Sequence, residues 1–149
     1  MRQSFRNTRA LLLIALPAIV FACGGSDEPS TNPIAGTYAA TFFQTTGSSG
    51  QRNELMAGST LTITLAANGT TTGHLHVAAS GSNSVLDADM AGTWTANDNH
   101  VVTFTQSADT FVRNMDFAWS TDIQGLSTLT GSKAFSGTLV QITLTRAST

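Results

Sequence analysis

The stretch LTITLAANGT, Leu61 to Thr70, alternates apolar and hydroxyl side chains over five residues and then breaks into Ala-Ala-Asn-Gly. Successive side chains on a strand point to opposite faces, so the alternation describes a ribbon with one greasy and one wettable side. Asn68-Gly69 supplies residues that accept positive φ, which a tight hairpin turn requires. The segment therefore reads as a half-buried strand that turns back on itself. The same pattern recurs where Val102 and Phe104 alternate with Thr103 and Thr105, and where Val140, Ile142 and Leu144 alternate with Gln141, Thr143 and Thr145. From Ile34 onward no segment carries apolar residues at three-four spacing through three turns, which disfavours helix there.

Worked outward, the pattern gives about eight candidate strands, at 36–44, 59–66, 71–79, 86–96, 100–106, 110–119, 124–131 and 136–146. Short turns between them, Ala67-Asn68-Gly69 and Ala96-Asn97-Asp98-Asn99 among them, imply antiparallel neighbours in a meander. Gly73, Gly92 and Gly131 fall in or beside strands, where they allow the bends of a closing sheet. The expected fold is all-β: an eight-stranded antiparallel up-and-down barrel, which would abolish the sticky edges of an open Val/Ile/Thr sheet. A β-sandwich is the alternative, though the single cysteine rules out the disulfide of immunoglobulin domains and the turns resemble hairpins more than Greek-key crossovers. The longest connection expected is Thr45 to Gly58, TTGSSGQRNELMAG. Its Gly/Ser half reads as a hinge, and Leu55 and Met56 read either as a core cap or as the greasy tip of a flap.

The chain divides into three parts. Arg2, Arg6 and Arg9 precede an apolar run from Ala10 to Ala22, the charged and hydrophobic regions of a secretory signal. That run is short for a membrane span. It ends in Val20-Phe21-Ala22-Cys23, which resembles the lipobox of bacterial lipoproteins. The resemblance implies a signal peptide over 1–22, cleavage before Cys23, and acyl chains (diacylglycerol and palmitate-type) on Cys23 that anchor the protein to a membrane. Several chains on one residue exceed the marginal hold of a single one. Gly24 follows the cysteine in place of an acidic residue, so the resemblance points to the outer membrane and a cell-envelope location. Residues 23–33 are polar and Gly/Ser/Pro-rich, a flexible tether. The folded domain is expected over 34–149, long enough for one core.

Without 1–22, Arg52, Arg113, Lys133 and Arg146 stand against nine acidic residues, a formal charge of −5, which disfavours nucleic-acid binding. Gly36-Thr37-Tyr38, the eight-strand meander, a long first loop and Arg146 closing the last strand resemble the small bacterial lipocalin-like domains of the calycin type. In lipocalins the Gly-x-Trp ring of the first strand is covered by a late arginine; Tyr38 stands in the Trp position here. The resemblance implies a barrel in which first and last strands pair, with Arg146 stacked on Tyr38 or, failing that, on Trp94.

Candidate sites follow from residue type. Phe111, Arg113, Met115, Phe117 and Trp119 share one face of the 110–119 strand, either as core or as the wall of an apolar pocket with Arg113 near its mouth. With Leu55 and Met56 they form the expected binding set for a small hydrophobic or amphipathic ligand. His74 and His76 share the outward face of one strand, a spacing able to chelate a metal, with His100 as the only further histidine. They read first as a solvated pair, and no metal or other cofactor is expected. Asp87 and Asp89 lack the spacing of a calcium loop. No nucleophile elbow, phosphate loop or His-Glu-x-x-His occurs, so an enzyme is not expected. The two function classes carried forward are a ligand-binding envelope barrel and a solid-barrel structural or interaction lipoprotein.

Overall fold

The computed structural model describes residues 32–81 and 83–147, and the regular structure among them is entirely β. In chain order the strands are β1 (Gly36–Gly47), β2 (Gly50–Asn53), β3 (Thr60–Leu65), β4 (Thr70–Val77), β5 (Leu86–Asp89), β6 (Gly92–Ala96), β7 (Val101–Gln106), β8 (Met115–Thr121), β9 (Ser127–Phe135) and β10 (Thr138–Arg146). β1, β3, β4, β6, β7, β8, β9 and β10 each pair with the next, and β10 returns to pair with β1, with Tyr38 opposite Arg146 and Gln44 opposite Gln141. The sheet is thus a closed eight-stranded antiparallel barrel, with β2 and β5 as extra strands on β1 and β4. Closure satisfies every sheet edge within the ring, which a sandwich would not.

β5 and β6 hold a single register along β4. His74 lies opposite Asp89 and Thr71 opposite Gly92, and the Met90 amide donates to the Gly73 carbonyl at 3.0 Å across the gap between them. The expected strand 86–96 is therefore continuous except at Met90-Ala91. Two glycines permit the close approach at this place: a Cβ on Gly73 (φ 142°) would lie 2.2 Å from the Thr62 carbonyl oxygen, and one on Gly92 2.1 Å from that of Thr105. Any larger residue would push neighbouring strands apart.

Two expectations from the sequence are corrected. The first is the Thr45–Gly58 loop, most of which is hairpin. β1 runs to Gly47, Ser48-Ser49 turn, and β2 returns with Gly50 at φ 106°, leaving only 54–59 irregular. Gly-Ser-Ser-Gly has the composition of a flexible linker, but glycines flanking a two-residue turn also suit a hairpin, and the pairing of β1 decides between them. The second is the 110–119 strand, which starts only at Met115. Thr110–Asn114 form a turn in which Asn114 takes φ 55°, a left-handed conformation that breaks period two. Val112, which period two would turn away from Phe111 and Met115, is fully buried beside them as a result.

A β-bulge sets which aromatics of β1 enter the core. Ala40 lies opposite Leu144 but Phe42 opposite Thr143, so one extra residue sits in β1 at Thr41. Strict alternation would place Tyr38 and Phe42 inside together. The slip instead buries Tyr38 and Phe43 and leaves Phe42 41% exposed on the outer wall.

The barrel interior is filled. Fully buried side chains come from around the ring: Tyr38 and Phe43 of β1, Leu61, Ile63 and Leu65 of β3, Leu75 of β4, Phe104 of β7, Phe117 of β8, Leu129 of β9 and Ile142 of β10. Phe104 and Phe117 stack at 4.6 Å between centroids in this core. Each such side chain contributes about 1.5–3 kcal/mol through burial. Thr71 and Gln106 form an interior polar pair, Gln106 Nε2 donating to Thr71 Oγ1 at 3.0 Å, so their burial leaves no lone amide. Outside, threonines bond in pairs across strands, Thr37 with Thr64 at 2.9 Å and Thr41 with Thr145 at 2.8 Å.

Candidate functional site

The two ends of the barrel are plugged by different chemistry. At the end that carries the 48–49 and 136–137 turns, Phe111 packs on Phe43 at 5.5 Å and edge-on to Phe135 at 6.4 Å. Lys133 Nζ donates to the Arg113 carbonyl and ties β9 to the turn before β8. At the other end, Tyr38 donates to the Ile34 carbonyl at 2.8 Å and Trp94 Nε1 to the Ala66 carbonyl at 2.9 Å. Burial pushes the Tyr38 hydroxyl above its ordinary 10.0, opposed by the Arg146 charge and by Trp119 and Ser127 beside it. Trp119 Nε1 is the one buried side-chain donor left unpartnered among the described residues.

The expected binding set is scattered by this arrangement. Met115 and Phe117 lie in the core, Trp119 is half-buried near the opposite end from Phe111, and the Trp119 ring packs against His100 at 5.5 Å. Arg113 is not on their face: it sits in the turn, exposed, 3.6 Å from Asp109. Leu55 packs partly against the core while Met56 is 87% exposed. Arg146 is the other displaced residue. It lies opposite Tyr38 in the pairing, as the barrel resemblance implies, but its guanidinium donates to the Pro33 carbonyl at 3.0 Å and covers Gly36 rather than stacking on a ring. A Cβ on Gly36 would meet Arg146 Nε at 2.5 Å, so the glycine makes the room. Cys23 lies outside the described residues.

Residues that the sequence reading passed over hold the 54–59 segment down. Glu54 is buried; Thr45 Oγ1 donates to its Oε1 at 2.6 Å and Ser59 Oγ to its Oε2 at 3.0 Å, with Arg52 Nη1 at 3.3 Å. Arg52 also donates to the Ala79 carbonyl at 3.0 Å, and the Ala78 amide donates to Ser59 Oγ at 2.9 Å. The segment is therefore clasped to the barrel at its base, and its exposed part is Met56 to Gly58. Glu54 is one of two glutamates in the chain, a rarity that was the available signal.

On the outer wall, His74 and His76 of β4 stand opposite Asp89 and Asp87 of β5. Asp87 Oδ1 is 2.7 Å from His76 Nδ1 and 3.2 Å from His74 Nε2, and Asp89 Oδ1 is 3.5 Å from His74 Nδ1. The hydrogen bond from His76 holds the Asp87 carboxyl below the usual 3.8. His100 is not part of the cluster, since it lies in the turn after β6. Among the described residues no group of three or more His, Cys, Asp or Glu side chains is placed to hold a metal ion. Elsewhere on the wall, Phe42, Thr130, Ser132, Gln141 and Thr143 line a shallow groove of about 220 Å³ without a charged group.

Comparison with family models, with curated proteins and with solved structures gave no match.

Proposed function

We propose that the protein is a lipid-anchored envelope lipoprotein with a solid, lipocalin-like barrel that works through its outer surface as a structural or interaction module. The observation that carries the choice is the buried interior: aromatic and aliphatic side chains from around the ring are shut off from solvent, with Phe111 packed on Phe43 toward one end and Trp94 bonded to the Ala66 carbonyl toward the other. An eight-stranded barrel has room for side chains or for one small ligand, and here side chains take the room. The Glu54 clasp weighs against a moving flap over a mouth. The anchor is Cys23, and the uncharged groove around Phe42 is the wall feature best suited to a neutral partner such as a glycan. Small-ligand binding is the rival reading, and enzyme activity stays outside the proposal.

The test uses the full chain in detergent, titrated with a fluorescent fatty acid. The solid-barrel reading expects no saturable uptake. One-to-one uptake that weakens in a Leu55→Ser, Met56→Ser variant would replace it with the ligand-binding reading.

A further inference from the structure

We infer that the turn 122–126 between β8 and β9 is a membrane seat: Ile123 and Leu126 enter the interface of a zwitterionic lipid bilayer and stand the barrel on that end. This seat presupposes the proposed lipid anchor at Cys23 and gives it an orientation. Ile123 is 103% exposed and Leu126 38%. Single exposed apolar side chains are ordinary on a protein surface, and Met56 is another at 87%. What sets Ile123 apart is its place.

The chain enters the barrel at Ile34, whose carbonyl accepts from the Tyr38 hydroxyl at 2.8 Å, while Arg146 donates to the Pro33 carbonyl at 3.0 Å. These contacts fix the entry at the end where β1 starts and β10 stops. Ala39 lies opposite Thr145, and Thr145 opposite Thr128, so the start of β9 is two strands from the entry. There β8 and β9 meet, Thr121 opposite Ser127, and the 122–126 turn joins them. A strand spacing of about 4.8 Å sets the turn roughly 10 Å to the side of the entry. Cys23 precedes Asn32 by nine residues, a reach of at most roughly 30 Å when fully extended. An anchor at Cys23 therefore holds this end near the bilayer. The opposite end stands a strand's length further off, about 30 Å for the nine residues of β10.

The chemistry of the turn suits shallow insertion. Asp122 Oδ1 accepts from the Gln124 and Leu126 amides, each at 2.8 Å. The Gly125 amide donates to the Asp122 carbonyl and the Asp122 amide to the Leu126 carbonyl, both at 3.0 Å, with Gly125 at φ 81°. Irregular backbone is costly to take from water when its polar groups lack partners, and these groups already have them inside the turn. The charged and titratable side chains at this end are Asp98, Asp122, His100 and Arg146, a mixture with no basic cluster. Anionic lipid is recognised by clusters of Lys and Arg, so the surface that fits is zwitterionic, held by the two aliphatic side chains.

The experiment uses the whole protein, labelled with palmitate in the cell, purified in detergent and reconstituted into phosphatidylcholine vesicles. Cys23 is the only native cysteine and its lipid removes the thiol, so Ile123→Cys and Met56→Cys each offer one site to an environment-sensitive maleimide dye. Met56 serves as the equally greasy position on the 54–59 segment, away from the entry. A lipid carrying a nitroxide just below the headgroup should quench the Ile123→Cys dye at least about twofold, the depth of an interfacial segment, and leave the Met56→Cys dye unquenched. Urea midpoints equal to the parent's show that both variants are folded. Equal quenching at the two positions, or none at Ile123→Cys, overturns the seat alone when palmitate is present and each chain carries one dye. Missing palmitate, with a second dye taken up by Cys23, overturns the anchor and the seat with it.

Discussion

Replacing Phe117 with alanine removes a ring from the centre of the barrel, where it is fully buried and stacks on Phe104 at 4.6 Å. The loss has two parts. Returning the ring's apolar surface to the reference of water costs about 2 kcal/mol. A residual void of roughly 100 Å³ at about 24 cal/mol per Å³ adds a similar amount, for a total near 4 kcal/mol. Relaxation should recover little of this, because the wall facing the ring is backbone: a Cβ on Gly131 would stand 2.9 Å from Phe117 Cδ1 and 2.7 Å from the Asp116 carbonyl oxygen. Strands closed into a ring cannot slide inward to fill the space without breaking pairs. Urea unfolding followed by tryptophan fluorescence reads the change, and with a slope of about 1.5 kcal/mol per molar the midpoint should fall by 2–3 M. The variant should also take up a benzene-sized probe that the parent refuses, since apolar voids of this kind stay dry and accept such molecules. A loss under about 1.5 kcal/mol, or probe uptake by the parent equal to that of the variant, would refute the filled interior and the function drawn from it.

Cys23→Ser should abolish incorporation of labelled palmitate and shift the protein from the detergent to the aqueous phase; retained label would refute the anchor. Tyr38→Phe should cost about 1–2 kcal/mol by leaving the buried Ile34 carbonyl without its donor, read as a lower thermal midpoint. Glu54→Ala should destabilise by more than 1 kcal/mol because Thr45, Ser59 and Arg52 lose a shared partner, whereas Met56→Ser should stay within about 0.5 kcal/mol; equal effects would mean the clasp does not hold the segment. The Asp87 carboxyl, held below its ordinary 3.8, contributes stability above its unfolded value and loses it as pH falls through the lowered folded value. Carbon-13 titration should therefore show a depressed Asp87 midpoint that rises in His76→Gln.

Period two in Leu61–Leu65, Val102–Thr105 and Val140–Thr145, with Asn-Gly and Asn-Asp-Asn punctuation between runs, was enough to specify antiparallel strands in a meander and to set which side chains of these runs face the core. That information is local, because the pleat alternates residue by residue and a turn needs only its own few φ angles. Outcomes that depend on a distant partner were not legible. Thr41 becomes a bulge only because β10 offers one residue where β1 has two, and this sends Phe42 out and Phe43 in. Gly47-Ser-Ser-Gly50 is a hairpin because β2 finds β1, and Arg146 meets Pro33 across the length of the domain. The His74–Asp87 approach likewise comes from the register between β4 and β5, with a loop between them that no pattern in either segment measures. Local alternation decides a side chain's face, whereas closure of the ring decides its neighbours. In this barrel the filled interior and the His–Asp wall both belong to closure and register.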